Sequence, residues 1–138
     1  MVAIGRCRDR RVEGLCDEYL ARVRRHVTAG VVEVEAKGDA ALSRKIASTL
    51  GSSSRVIALD AGGRQMGSEA FARWLGSSLA RYPSIAFLVG GADGFPAGVS
   101  PLVHERLSLS AMTLPHRIAR LVLVEQIYRA LSILEGEP

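Results

Sequence analysis

Ile85-Ala86-Phe87-Leu88-Val89-Gly90-Gly91-Ala92-Asp93-Gly94 decides the fold class. An unbroken apolar run this short, ended by paired glycines, reads as a strand buried on both faces, which is the habit of parallel sheets covered by helices. Arg55 to Asp60 has the same form and is also followed by paired glycines, Gly62 and Gly63. Working outward, Val2 to Ile4, Val31 to Glu35 and Arg106 to Leu109 supply three more strand-like segments, each separated from the next by longer amphipathic stretches. That alternation specifies an α/β domain with a mainly parallel five-stranded sheet, helices on both faces, and the strands at 55–60 and 85–89 at its centre.

The intervening helices follow from 3.6-residue periodicity. Val12 to His26 places Val12, Leu15, Cys16, Tyr19, Leu20 and Val23 on one face. Asp39 to Leu50 begins with Asp39 as the expected N-cap, and Ser68 to Tyr82 turns Phe71, Leu75 and Leu79 inward. Gly51 and Pro83 are stop signals, while Ser52 to Ser54 is too short to be more than a linker, so residues 1–138 read as one domain. The last helix, Pro115 to Leu134, distributes Ile118, Leu121, Val122, Val124, Ile127, Tyr128, Leu131, Ile133 and Leu134 around most of its circumference. One sheet contact cannot cover such a helix. A second copy of the chain in a symmetric homodimer is the expected cover, with deep burial inside a single chain as the alternative.

The 138 residues carry a formal charge of +4, and apart from Lys37 and Lys45 every basic side chain is arginine. Arg6, Arg8, Arg10 and Arg11 cluster after the first strand, followed by Arg22, Arg24 and Arg25. The planar guanidinium suits phosphate oxygens, so a polyanion is one expected partner and a solvated face the plainer reading. No apolar run approaches the ~20 residues needed to cross a bilayer, and the start lacks a secretory signal pattern, so the cytoplasm is the expected location without membrane contact. Cys7 and Cys16 fit no zinc spacing and read as reduced structural thiols.

Three segments can carry chemistry. Gly90 to Phe95 and Leu59 to Ser68 both follow strands, at the carboxyl edge where parallel sheets bind ligands. Leu107-Ser108-Leu109-Ser110-Ala111-Met112-Thr113-Leu114-Pro115-His116 joins the last strand to the last helix. With Pro115 at the first helical position, Leu114 becomes an N-cap without a side-chain acceptor, leaving backbone donors free. Hydroxyls of Ser108, Ser110 and Thr113 above an apolar floor suit an adenine edge and a thioether; the alternative is a loop whose hydroxyls satisfy their own backbone. Asp60 is either a turn former or a ligand contact. The glycine spacing matches neither a dinucleotide fingerprint nor a phosphate loop, which leaves a nicotinamide-dependent oxidoreductase without support. Only His26, His104 and His116 are present, with no nucleophile elbow and no metal-ligand spacing. Group transfer from a bound organic cofactor remains.

Leu107 to His116, followed by Glu125-Gln126-Ile127-Tyr128-Arg129-Ala130, resembles the ribosomal RNA large subunit methyltransferase H family, whose corresponding segments have the form L-S-x-S-x-M-T-[LF]-P-H and E-Q-x-Y-R-A. Gly90-Gly91-Ala92-Asp93-Gly94, Leu59-Asp60 and the early Val2-Ala3-Ile4-Gly5-Arg6 fall at matching places. The resemblance implies a SPOUT fold with a C-terminal trefoil knot and a homodimer with its active site at the subunit interface. It implies S-adenosylmethionine as cofactor, held by Leu59, Gly90, Leu109, Ser110, Ala111, Met112, Thr113 and Leu114. It implies N3-methylation of a pseudouridine in 23S ribosomal RNA, on the RNA or the assembled ribosome. A base must remove the N3 proton. His116 is the candidate nearest in sequence, and Arg120 and Arg129 are candidate RNA contacts, with pairing of Glu125 and Arg129 as the plainer role for the latter. The family continues past Gly136-Glu137-Pro138 into a Tyr-His-basic tail that this sequence does not contain. The alternative expectation is therefore a catalytically impaired cofactor- or RNA-binding dimer.

Overall fold

The computed structural model describes residues 1–52 and 54–137, so Ser53 of the serine linker and Pro138 lie outside the described residues. Five strands, β1 (Val2–Ile4), β2 (Val32–Val34), β3 (Ser54–Gln65), β4 (Ser84–Val89) and β5 (Glu105–Ser108), form one sheet in the order β2-β1-β4-β3-β5. Every pairing is parallel. The two most apolar runs, β4 and β3, hold the third and fourth positions, where helices cover both faces.

Strand residues alternate between two apolar clusters, as a two-residue side-chain period requires. Ala3, Ile57, Phe87 and Val89 face a layer made of α1 (Arg10–Val23), α3 (Ser68–Arg81) and α4 (His116–Leu134). Val2, Val34, Val56, Ala58, Ala86 and Leu88 face α2 (Asp39–Leu50) and a short 3₁₀ helix, Ala97–Leu102. Within the first layer α4 packs against both α1 and α3. Much of its apolar circumference is thereby covered inside the chain: Leu123, Val124, Ala130 and Leu131 are buried. Ile118, Leu121 and Val122 are half-buried and belong to neither apolar cluster.

Several local expectations give way to tertiary context. Leu15 and Leu79 stay 45% and 38% exposed because α1 and α3 flank α4 and bury narrower stripes than their periodicity offers. The cap of α2 is Gly38, with φ +84, and Asp39 is instead the first helical residue, where its charge favours the helix N-terminus. Pro115, not Leu114, caps α4. The stretch after Asp60 is not a free loop, since β3 runs on to Gln65 through a break in register between Leu59 and Arg64 against β5. Gly63 is required at that break: a Cβ there would sit 2.7 Å from the Arg106 carbonyl carbon. A bulge of this kind bends a strand and re-aims its side chains beside a site.

One polar cluster is built on a buried arginine and reaches a partly exposed carboxylate. Arg120, 3% exposed, sends Nη1 to Glu33 Oε2 at 2.6 Å and Nη2 to the Gly5 carbonyl at 2.6 Å, while the Cys7 amide donates to the same carboxylate oxygen at 2.8 Å. This ties α4 to β2 and to the turn leaving β1. Arg120, expected as an RNA contact, lies 3% exposed with its guanidinium engaged by Glu33 and the Gly5 carbonyl, the geometry of a structural clamp. The Glu33 carboxyl is held below the usual carboxylate range by the Arg120 hydrogen bond. Cys7 and Cys16 are both free thiols, Cys7 buried, with burial raising the Cys16 pKa.

Candidate functional site

The carboxyl ends of the central strands open into a cleft of about 860 Å³, within the size range of small-molecule sites. Its apolar wall comes from Leu59 on β3, Val89 on β4, Phe95, Val99 in the 3₁₀ helix, and Leu109 and Leu114 after β5. Gly90, Gly91 and Gly94 form a lip, closed by a hydrogen bond that the Gly94 N–H donates to the Gly91 carbonyl at 3.1 Å. A Cβ on Gly90 would come within 3.3 Å of the Gly94 backbone, and one on Gly91 within 3.2 Å of the Ile4 side chain. Gly90 and Gly91 are thus tightly packed, and Gly94, with φ +76, adopts a backbone conformation that side-chain-bearing residues rarely take.

Of the residues expected to hold a cofactor, Leu59, Gly90, Leu109, Ser110, Met112, Thr113 and Leu114 all line this one cleft, and Ala111 does not. The loop before α4 meets much of its own polar demand. Ser108 Oγ donates to the Ser110 carbonyl at 2.8 Å, and the Met112 amide donates to Ser110 Oγ at 3.0 Å. The hydroxyls of Ser108 and Ser110 therefore shape the loop. Met112 projects from it at 77% exposure. Asp60 likewise has a structural task, accepting the Gly62 amide at 2.9 Å through Oδ1 and pairing with Arg106 at 2.9 Å through Oδ2.

Sequence reading missed the 3₁₀ helix wall, Val99 and Ser100, and the rim cation Arg106. Pro96 and Pro101 were the available signal for a tight turn there. His116 lines the cleft from the start of α4, where Pro115 offers no side-chain cap, and His116 Nδ1 is buried without a hydrogen-bond partner. A buried ring nitrogen left unpaired costs free energy, as it does for Arg120 Nε and Ser132 Oγ, which are buried and unpaired as well. Arg129 takes the plainer role: Nη2 meets Glu125 Oε1 at 2.9 Å, Gln126 donates to the same carboxylate, and Ser68 Oγ donates to Gln126 across to α3. Among the described residues no group of three or more His, Cys, Asp or Glu side chains is arranged to hold a metal, and no helix is long and apolar enough to cross a membrane.

The chain with this parallel sheet and glycine-lipped cleft is matched over residues 1–138 by the family model described as a predicted SPOUT methyltransferase, which makes it a methyltransferase of the SPOUT class. The ribosomal RNA large subunit methyltransferase H proteins of Sorangium cellulosum and Anaeromyxobacter dehalogenans are 43% and 42% identical to the chain, each match covering 100% of it and 95% of the relative. The protein of that name from Gemmatimonas aurantiaca is 35% identical over 100% of the chain and 96% of its own length. The chain belongs to the ribosomal RNA large subunit methyltransferase H family.

Proposed function

We propose that this single-domain chain transfers the methyl group of S-adenosylmethionine to N3 of a pseudouridine in 23S ribosomal RNA. The observation that carries the cofactor assignment is the convergence of Leu59, Gly90 and the loop 109–114 on one cleft, from strands β3, β4 and β5. The donor set fits the group. Apolar side chains suit an adenine face and a thioether, the glycine lip supplies backbone donors and acceptors, and the start of α4 is uncapped. When bound, the cofactor supplies an electrophilic methyl group; the chain holds it, orients it and excludes water.

The substrate follows from the family name carried by the relatives, which designates ribosomal RNA. A pseudouridine N3 loses its proton on becoming a nucleophile, and His116, whose side chain lines the cleft, is the candidate acceptor. The exposed Arg129, although paired with Glu125, remains a candidate RNA contact. The active form is a cytoplasmic homodimer whose C-terminal segment is knotted. Support for the dimer is the half-buried trio Ile118, Leu121 and Val122 at the α4 start, together with exposed Met112 on the adjoining loop. Leu121→Arg would then give a monomer by light scattering; a variant that elutes and scatters as the unaltered protein does would rule out that face.

Calorimetry with S-adenosylmethionine and mass spectrometry of ribosomal RNA after incubation with ribosomes test the central reading. The expected result is micromolar cofactor binding and one added methyl group on a pseudouridine. Absence of cofactor binding at millimolar concentration overturns it.

A further inference from the structure

A second cleft, of about 630 Å³, lies on the far side of the glycine lip. It shares Gly91, Ala92, Gly94, Phe95, Pro96 and His116 with the cofactor cleft, so the two are separated only by the lip and the α4 start. Arg6 and Arg8 line its outer end and Arg117 its α4 end. Beyond Arg8 a third depression, of about 650 Å³, is lined entirely by charged residues: Arg6, Arg8, Arg10, Glu13 and Glu33. These three hollows form one track running from the cofactor cleft to the turn after β1.

The charges along this track are unequal in their commitments. Glu33 is spent on Arg120 and on the Cys7 amide. Arg6 stands 3.6 Å from Glu35 with both side chains largely exposed, a pairing of little strength. Among the described residues, Arg8, Arg10 and Arg117 have no carboxylate within 4.0 Å. Between the cationic ends, Glu35, Asp39 and Asp93 make the middle of the second cleft electrically mixed. The turn that carries Arg6 and Arg8 is fixed at its base, because Arg120 holds the Gly5 carbonyl. Arg8 itself has φ +57, an unfavourable conformation for a side-chain-bearing residue, kept by that anchored turn.

Resting on the methyltransferase reading, the geometry points to this track as the seat of the single RNA strand that flanks the methylated nucleotide. Phosphodiester oxygens meet Arg8 and Arg10 toward the turn after β1 and Arg117 at the α4 end of the second cleft, while sugars and base edges cross the mixed middle. Arginines at the ends, with carboxylates between them that can accept from ribose hydroxyls and base amino groups, match a strand whose charge is confined to its phosphates. The methyl-acceptor base then enters over the lip, beside His116, without passing through the sheet.

The test replaces Arg8, Arg10 and Arg117 together by Gln, with Arg10→Gln alone as a milder variant, and takes Arg25→Gln/Arg73→Gln, on the outer surfaces of the helical layer, as the charge control. Binding of a fluorescent single-stranded RNA spanning the target nucleotide is measured by polarisation across salt concentrations, and cofactor affinity by calorimetry. The triple variant is expected to lower the slope of log affinity against log salt by about 2, since each phosphate contact on a single strand contributes roughly 0.7. Arg10→Gln should lower it by about 0.7. Cofactor affinity should stay within about twofold of the unaltered protein, which also excludes misfolding, and KM for RNA should rise with kcat little changed. Equal slopes for the triple variant and the control overturn the proposal, as does absence of RNA binding by the unaltered protein at low salt. Loss confined to assembled ribosomes, with naked RNA bound normally, overturns it in favour of an acidic ribosomal protein face. Failure of the methyltransferase reading would show separately, as absent cofactor binding.

Discussion

Of the four helices that begin at the carboxyl edge of this sheet, α1 has a side-chain cap and α2, α3 and α4 have none, and among the uncapped ones only α4 starts at the wall of the cofactor cleft. At the start of α1, Asp9 Oδ1 accepts the amides of Arg11 and Val12, at 3.0 and 3.4 Å, and Oδ2 meets Arg11 Nη2, so the first donors are spent within the chain. At the start of α4, Pro115 has no side chain able to accept, and the adjoining His116 nitrogen is unpaired. The first arrangement closes a helix. The second leaves the helix start without a side-chain acceptor, at the wall of the cleft. Polar groups satisfied internally hold structure, and groups left unsatisfied beside a cavity mark where a ligand completes the bonding.

The open end is broken most severely at its lip. Gly90→Val is expected to weaken S-adenosylmethionine binding by about a hundredfold, because the added carbons press on the Gly94 backbone. Normal affinity in calorimetry would remove the lip from the site. Next in size, Glu33→Ala leaves Arg120 buried without a countercharge and should cost about 3 kcal/mol, lowering Tm by roughly 10 °C. A thermal melt within two degrees of the unaltered protein would show that the clamp is not structural. Because the folded Glu33 carboxyl lies below its ordinary value of 4.5, the stability it contributes is full above that value and disappears as pH falls through the lowered one. Unfolding midpoints of Glu33→Ala should accordingly vary less than those of the unaltered protein as pH drops below about 4.5.

Pro115→Ser gives α4 the kind of cap α1 already has. It is expected to raise Tm by roughly 2–4 °C and to weaken cofactor binding about threefold, through competition for the same amides. Higher stability with unchanged affinity would mean that those donors do not serve the cofactor. Asp9→Ala should have the smallest effect, a Tm lower by a few degrees with no change in cofactor affinity. A change in affinity there would erase the distinction between the two helix starts.

Most of the candidate site was legible because its parts are local. Apolar runs ended by glycines locate β3 and β4, and the carboxyl edge of a parallel sheet says where their loops must gather. The loop 109–114 was recognised through a family motif, since its hydroxyls and leucines alone fit a self-satisfied turn as well as a binding loop. The 3₁₀ wall escaped notice because six residues are too few to set a period. Leu15 and Leu79 were misread because periodicity reports which face is apolar, not how much of it a neighbour covers.

Sequence by itself determined the element order, the class of sheet, the two glycine turns and the family, all of which depend on residues close together in the chain or on motifs with little degeneracy. Tertiary structure alone decided the partners. Arg120 meets Glu33 across 87 positions, α4 lies between α1 and α3, and one cleft gathers the ends of three strands with the start of a helix. Such pairings are set by packing the whole chain, where burial turns an arginine that looks free for RNA into a clamp and leaves an unremarkable helix start open to a ligand.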